Sequence, residues 1–309
     1  MLACGQAPQP KAIDIGAREA QLSDSERTEL AAAVGKHDYA AEKAVIDRAI
    51  AEHPGSRELQ ILLGRVAYLE KHPRDAVESL ARADKIKPLS EEDRLTLALA
   101  AQFSDQPVSA HAALLKLIED FPKKARYVYL LGRLDVYNKR LEDAVADFRR
   151  ALELDPNMLR VYEDLGQAQE ALDLIDEARK TYEAGAARNR LQPVRWEWSP
   201  LDLGVLLLKQ GELDQAEKLF AEALQYNPHS GWAHYYLGQL DMKKGLREQS
   251  VTQYQQAVAD TPKLRQAWLA LGREYTRLGR KPEAAKCLAT FKELEARENA
   301  YREKRLEPH

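Results

Sequence analysis

Small and bulky apolar residues return along this chain in a fixed frame of 34. Leu-Gly recurs at Leu63-Gly64, Leu131-Gly132, Leu165-Gly166, Leu203-Gly204, Leu237-Gly238 and Leu271-Gly272, with Leu97-Ala98 in the same place. Twelve residues after each of these glycine places stands a small residue: Ala76, Ala110, Ala144, Ala178, Ala216, Ser250, Ala284. Four further on comes a bulky one: Leu80, Leu114, Phe148, Tyr182, Phe220, Tyr254, Leu288. Prolines 54, 88, 122, 156, 228 and 262 close the frames. Each frame predicts two antiparallel helices. Their backbones approach at the Gly and Ala places, the bulky residue fills the remaining gap, and proline stops the second helix. Between Gly166 and Gly204 the interval is 38, a slip of four.

These columns resemble the tetratricopeptide repeat (TPR) family, whose signature runs W-x2-L-G-x2-Y, then A-x3-F, then P. The last frame carries the first part entire, as Trp268, Leu271, Gly272 and Tyr275. Eight repeats can be framed, starting at residues 23, 57, 91, 125, 159, 197, 231 and 265. The first lacks the Leu-Gly pair but keeps Ala49 and Pro54. The resemblance implies an all-α solenoid, a right-handed superhelix of about eight helix-turn-helix repeats. The expected organisation is an N-terminal segment 1–22, repeats one to five over 23–192, an insertion at 193–196, repeats six to eight over 197–298, and a charged end at 299–309.

Composition agrees with helix. Ala, Leu, Glu, Arg and Lys abound while Val and Ile are sparse. A formal net charge of −3 points away from nucleic acid and from a polybasic membrane anchor. The best apolar run, LGVLLL at 203–208, is far short of the roughly 20 residues of a spanning helix. Cys4 and Cys287, at opposite ends of the chain, make neither a disulfide framework nor a zinc site.

The start, MLACGQAPQP, resembles the end of a bacterial lipoprotein signal at Leu2-Ala3-Cys4-Gly5. That resemblance implies lipidation of Cys4, with the Gln/Pro-rich run as a tether. No charged and apolar stretch precedes Cys4 in this sequence. The expectation is therefore an outer-membrane lipoprotein facing the periplasm if a signal precedes Met1, and a cytoplasmic protein otherwise.

No metalloprotease, P-loop, dinucleotide-binding or nucleophile-elbow motif occurs, and the seven histidines are scattered. The chain reads as a non-enzyme without cofactor or metal.

The resemblance also implies where a partner would bind. In TPR arrays the first helix of each repeat lines the concave surface, through repeat positions 2, 5, 9, 12 and 13. Carried over residue by residue, these positions give a candidate binding set of Arg126, Tyr129, Arg133 and Tyr137 in the fourth repeat and Arg160 in the fifth. The sixth adds Trp198, the seventh Trp232, Tyr235, Gln239 and Lys243, and the eighth Arg273. Trp, Tyr and Arg are the residue types enriched at binding hot spots. Trp196 belongs to the insertion Pro193–Trp196, which is expected to split the array into five repeats and three, with Trp196 filling the gap. The Lys/Asn pairs of a carboxylate clamp are absent, and the asparagine-ladder column holds Leu62, Thr96, Leu130, Asp164, Asp202, Tyr236 and Ala270. The expected function is an interaction scaffold gripping a peptide or protein, in a role such as bacterial envelope assembly. The alternative is a carbohydrate- or small-molecule-binding protein with aromatic stacking platforms.

Overall fold

The computed structural model describes residues 21–306, with side chains up to residue 300. The described residues form sixteen α-helices and no strand. Two compact units divide after Asp155. The first holds four helix pairs: α1 (Asp24–Lys36) with α2 (Tyr39–Glu52), α3 (Arg57–Leu69) with α4 (Pro73–Ile86), α5 (Glu91–Phe103) with α6 (Pro107–Asp120), and α7 (Ala125–Tyr137) with α8 (Leu141–Leu154). The second holds four more: α9 (Leu159–Ala171) with α10 (Ile175–Arg190), α11 (Trp198–Gln210) with α12 (Leu213–Tyr226), α13 (Gly231–Lys243) with α14 (Arg247–Asp260), and α15 (Arg265–Arg277) with α16 (Lys281–Leu306). Within each unit every helix packs on its predecessor and successor, as in an α-solenoid. In the second unit α9 also meets α11, and α11 meets α13, so the first helices of successive repeats form a row.

Local chemistry explains where the helices begin. Ser23 caps α1 in a reciprocal box with Glu26, and Ser56, Ser90 and Ser230 cap α3, α5 and α13 through their hydroxyls. Pro73 and Pro107 open α4 and α6, where a missing N–H costs nothing.

The glycine column does what its spacing predicts. A Cβ built on Gly166 would lie 2.3 Å from the Tyr182 ring, and one on Gly204 would lie 2.6 Å from that of Phe220. Gly64 meets Leu80, Gly132 meets Phe148, and Gly238 meets Tyr254 in the same way. The knob is always the residue sixteen further on, in the second helix of the same repeat.

A second column lies in the turn between paired helices. His37, Lys71, Asp105, Lys139 and Asp173 take φ between 54° and 66°, and Gly211, Gly245 and Gly279 take φ between 74° and 84°. Every repeat thus closes its first helix with one left-handed residue. The last three repeats use glycine, for which this conformation carries no Cβ penalty. Gly245 has open space around it. Gly245→Ala is therefore expected to cost about 1 kcal/mol through backbone strain alone. Gly35, in α1 with equally open surroundings, gives the opposite sign, since Ala is the better helix former. Urea titration of both variants checks the pair, and a destabilised Gly35→Ala beside a neutral Gly245→Ala would contradict it.

The insertion Pro193–Trp196 lies inside the second unit, between α10 and α11. The seam between units and the slip in the repeat frame are therefore separate places. Cys4 and the start of the N-terminal segment lie outside the described residues.

Candidate functional site

Four of the candidate residues stand on α7, in the first unit. Arg126 and Tyr137 are exposed, Tyr137 at 46 %. Tyr129 is a correction: it is buried, its ring centroid 5.9 Å from that of Phe148, and Arg133 covers it with its guanidinium 5.7 Å from the ring centre. Tyr129 belongs to the core between α7 and α8, and its ring is not open to a partner.

The other candidates stand in the second unit. Trp198 and Trp232 come together, with ring centroids 6.4 Å apart. Trp232 lies nearly parallel to Tyr236 at 6.0 Å and meets Tyr235 edge-on at 5.9 Å. Both tryptophans are half-buried and pack against the apolar core around α11 and α12. They are thus shared between core and surface, not purely a groove feature. Burying each ring supplies about 2 kcal/mol or more.

Between α13 and α15 a cleft of about 350 Å³ opens. Tyr235, Gln239, Met242 and Lys243 line one wall, and Leu269, Arg273 and Arg277 the other. The positions carried over from the family are those that meet here. Glu274 is buried in the floor and ion-paired with Arg277. Lys243 donates to the Leu208 carbonyl at 2.8 Å. Arg273 is exposed, with no ion pair among the described residues. Burial raises the Tyr235 phenol, against the opposing pull of Gln239 and Arg273. With three cations against one carboxylate, the cleft favours an acidic group beside an apolar one.

Arg160, on α9, faces a different environment. It and Lys209 stand among the carboxylates of Glu163, Asp164, Glu170 and Asp202. Lys209 pairs with Glu170 at 2.5 Å, and Glu170 accepts from the Tyr182 hydroxyl at 2.9 Å. Glu163 and Glu170 hold groove positions 5 and 12 of the fifth repeat, whereas Asp164 and Asp202 stand in the asparagine-ladder column and were not among the candidates.

Trp196, expected to fill the gap at the insertion, stays 39 % exposed. The insertion is held instead by Asn189, wholly buried at the end of α10. Asn189 Nδ2 donates to the Trp196 carbonyl at 2.8 Å, and Oδ1 accepts from the Trp196 N–H at 2.7 Å. Arg195 lies over the Tyr226 ring, 5.5 Å from its centre. A single polar residue outside the repeat columns carries no periodic signal, so sequence reasoning passed over it.

No group of His, Cys, Asp and Glu among the described residues could hold a metal ion. Burial pushes the Cys287 thiol up, away from the reactive thiolate. No helix among the described residues is long and apolar enough to cross a membrane.

Two family models, both described as tetratricopeptide repeat, match residues 95–158 and residues 136–196 and 207–271, together more than half of the chain. The chain is 32 % identical over 123 residues to the tetratricopeptide repeat-containing protein trd-1 of Caenorhabditis elegans, covering 39 % of this chain and 15 % of that one. It is 25 % identical over 154 residues to the mitochondrial import receptor subunit TOM70 of Saccharomyces cerevisiae, covering 50 % and 24 %. The chain thus spans less than a quarter of these relatives' length. Among solved structures, a tetratricopeptide repeat protein from Parabacteroides merdae superposes with a TM-score of 0.56 at 13 % identity, over 81 % of this chain and 98 % of that one. PilW, described as a type IV pilus biogenesis factor, gives 0.54 at 19 % identity, over 64 % and 90 %. At these identities the likeness is one of fold.

Proposed function

The chain belongs to the tetratricopeptide repeat family, and from that premise we propose that it is a protein-interaction scaffold whose α13–α15 cleft grips an extended segment of a partner. The observation that supports this is the convergence of Tyr235, Met242 and Leu269 with Lys243, Arg273 and Arg277 around one open cleft. Apolar walls would bury a hydrophobic side chain, and the cations would hold a carboxylate through charge-assisted hydrogen bonds. The carbohydrate alternative is less well supported. Trp232 already stacks on Tyr236 and abuts Trp198, so part of the aromatic surface is turned inward.

The test is a random twelve-residue peptide display panned on the protein. Enriched peptides are expected to place an acidic residue near an apolar one. The Arg273→Glu, Arg277→Glu double variant is expected to bind them at least tenfold more weakly, about 1.4 kcal/mol or more, and Arg273→Glu alone, which leaves the Arg277–Glu274 pair in place, is expected to weaken binding with little change in melting. Equal binding by the double variant would remove the cleft from the function.

We also propose that the scaffold acts from an envelope membrane through lipidated Cys4, when a signal precedes Met1. The support is the sequence Leu2-Ala3-Cys4-Gly5 with its Gln/Pro-rich tether. Labelling of the full-length protein with an alkyne fatty acid in its host is expected to be lost in Cys4→Ala. Label that persists there, or wild-type protein that takes up none, would contradict it.

A further inference from the structure

We propose that the row of α9, α11 and α13 holds a cation-binding site, in which Asp202 is the counter-ion and Trp198 and Trp232 are the flanking rings for an arginine or lysine side chain of the partner segment. This rests on the scaffold reading above and adds the chemistry of a second contact, opposite in sign to the first.

The geometry starts from α11. Asp202 follows Trp198 by four residues, so the two share one face of the helix. That face belongs to the row, since α11 meets both α9 and α13. Trp232 on α13 brings its ring to 6.4 Å from that of Trp198. Asp202 therefore shares the α11 face that carries Trp198, whose ring adjoins that of Trp232; indole faces are electron-rich, and an alkylammonium or guanidinium is attracted both by them and by a carboxylate.

The carboxylate itself lacks a partner. Asp202 Oδ2 is out of contact with solvent and accepts no hydrogen bond from the described residues. Such an acceptor is costly to leave unmade and gains most when a donor arrives. Burial, with Glu163, Glu170 and Asp164 close by, holds the Asp202 carboxyl well above its ordinary range, and Arg160 only partly opposes this. Burial and these neighbours thus disfavour the charged form of Asp202, which an arriving cation would restore. The ion pair of Lys209 with Glu170 shows the contact that an incoming cation would make with Asp202. An acidic ligand would meet repulsion here, whereas a basic side chain would supply the missing charge, a donor and a stem to lie against the rings.

The test follows the indole N–H signals of protein carrying 15N-tryptophan, titrated with Nα-acetyl-arginine amide. Nα-acetyl-norleucine amide and Nα-acetyl-glutamate amide are the controls. Saturable shifts are expected at Trp198 and Trp232 with the arginine probe alone. Trp196 and Trp268 serve as internal references. Asp202→Asn keeps the shape and removes the charge, and is expected to weaken the arginine probe at least fivefold. Its undisturbed indole spectrum before titration shows that the variant is folded. Absence of a saturable shift, an equal response to norleucine amide, or unchanged affinity in Asp202→Asn would each overturn the proposal. If the arginine probe fails while acidic display peptides still need Arg273 and Arg277, only this site falls. If those peptides fail and the arginine probe binds, the cation site stands and the cleft reading falls.

Discussion

Asn189→Ala is expected to lower the stability of the second unit by about 3 kcal/mol, against well under about 1 kcal/mol for Trp196→Ala. The difference lies in what each side chain holds. Asn189 is wholly buried and makes both a donor and an acceptor bond to the Trp196 backbone. Its removal leaves a partly buried N–H and C=O unpaired and opens a cavity at the end of α10. Trp196 is 39 % exposed, and its truncation leaves both backbone bonds in place. Urea midpoints of the two variants decide the matter. A larger loss in Trp196→Ala would return the indole to the role of plug.

Glu42→Gln is expected to stabilise the first unit by about 2–3 kcal/mol at pH 8 and by almost nothing at pH 4. Glu42, on α2, stands 34 residues before Ala76, in the column that is otherwise Ala or Ser. It is 1 % exposed, and its Oε2 accepts no hydrogen bond from the described residues. Burial first, then the charges of Asp38 and Glu70, push its carboxyl up from 4.5 to about 7. A raised acid binds its proton more tightly in the folded state than in the unfolded one. The folded state is therefore unpenalised below pH 4.5, loses stability as pH rises from there to about 7, and carries the full penalty above. Glutamine keeps the shape and does not titrate. Denaturation of both proteins at pH 4 and pH 8 reads the difference, and an equal gain at both values would show that ionisation is not the cause.

The fold was legible because its information is periodic. Every predicted repeat start falls within one residue of an observed first helix, from Asp24 to Arg265. Each Gly-to-bulky pairing is a physical contact. The left-handed column was half visible, as Gly211, Gly245 and Gly279 at intervals of 34; in the earlier repeats His37, Lys71, Asp105, Lys139 and Asp173 hide it. The placement of Tyr235, Gln239, Lys243 and Arg273 around one cleft was legible, because repeat position alone decides it. Position failed where a neighbour's size decides. Tyr129 has a groove position, but the Phe148 ring beside it draws it into the core. Asn189 and Asp202 were passed over because the buried state of one polar atom depends on side chains from other repeats.

The pairing of each glycine with a bulky residue sixteen places on is private to a repeat. An in-frame gain or loss of 34 residues on one side of the insertion would rejoin a glycine place to a bulky partner at the same distance, wherever in the repeat the breakpoints fell. The segment Pro193–Trp196 lies between repeats and interrupts none of these pairs. Lineages of this protein could therefore lengthen or shorten the recognition row one helix at a time by unequal recombination, changing what is bound without having to reinvent the core.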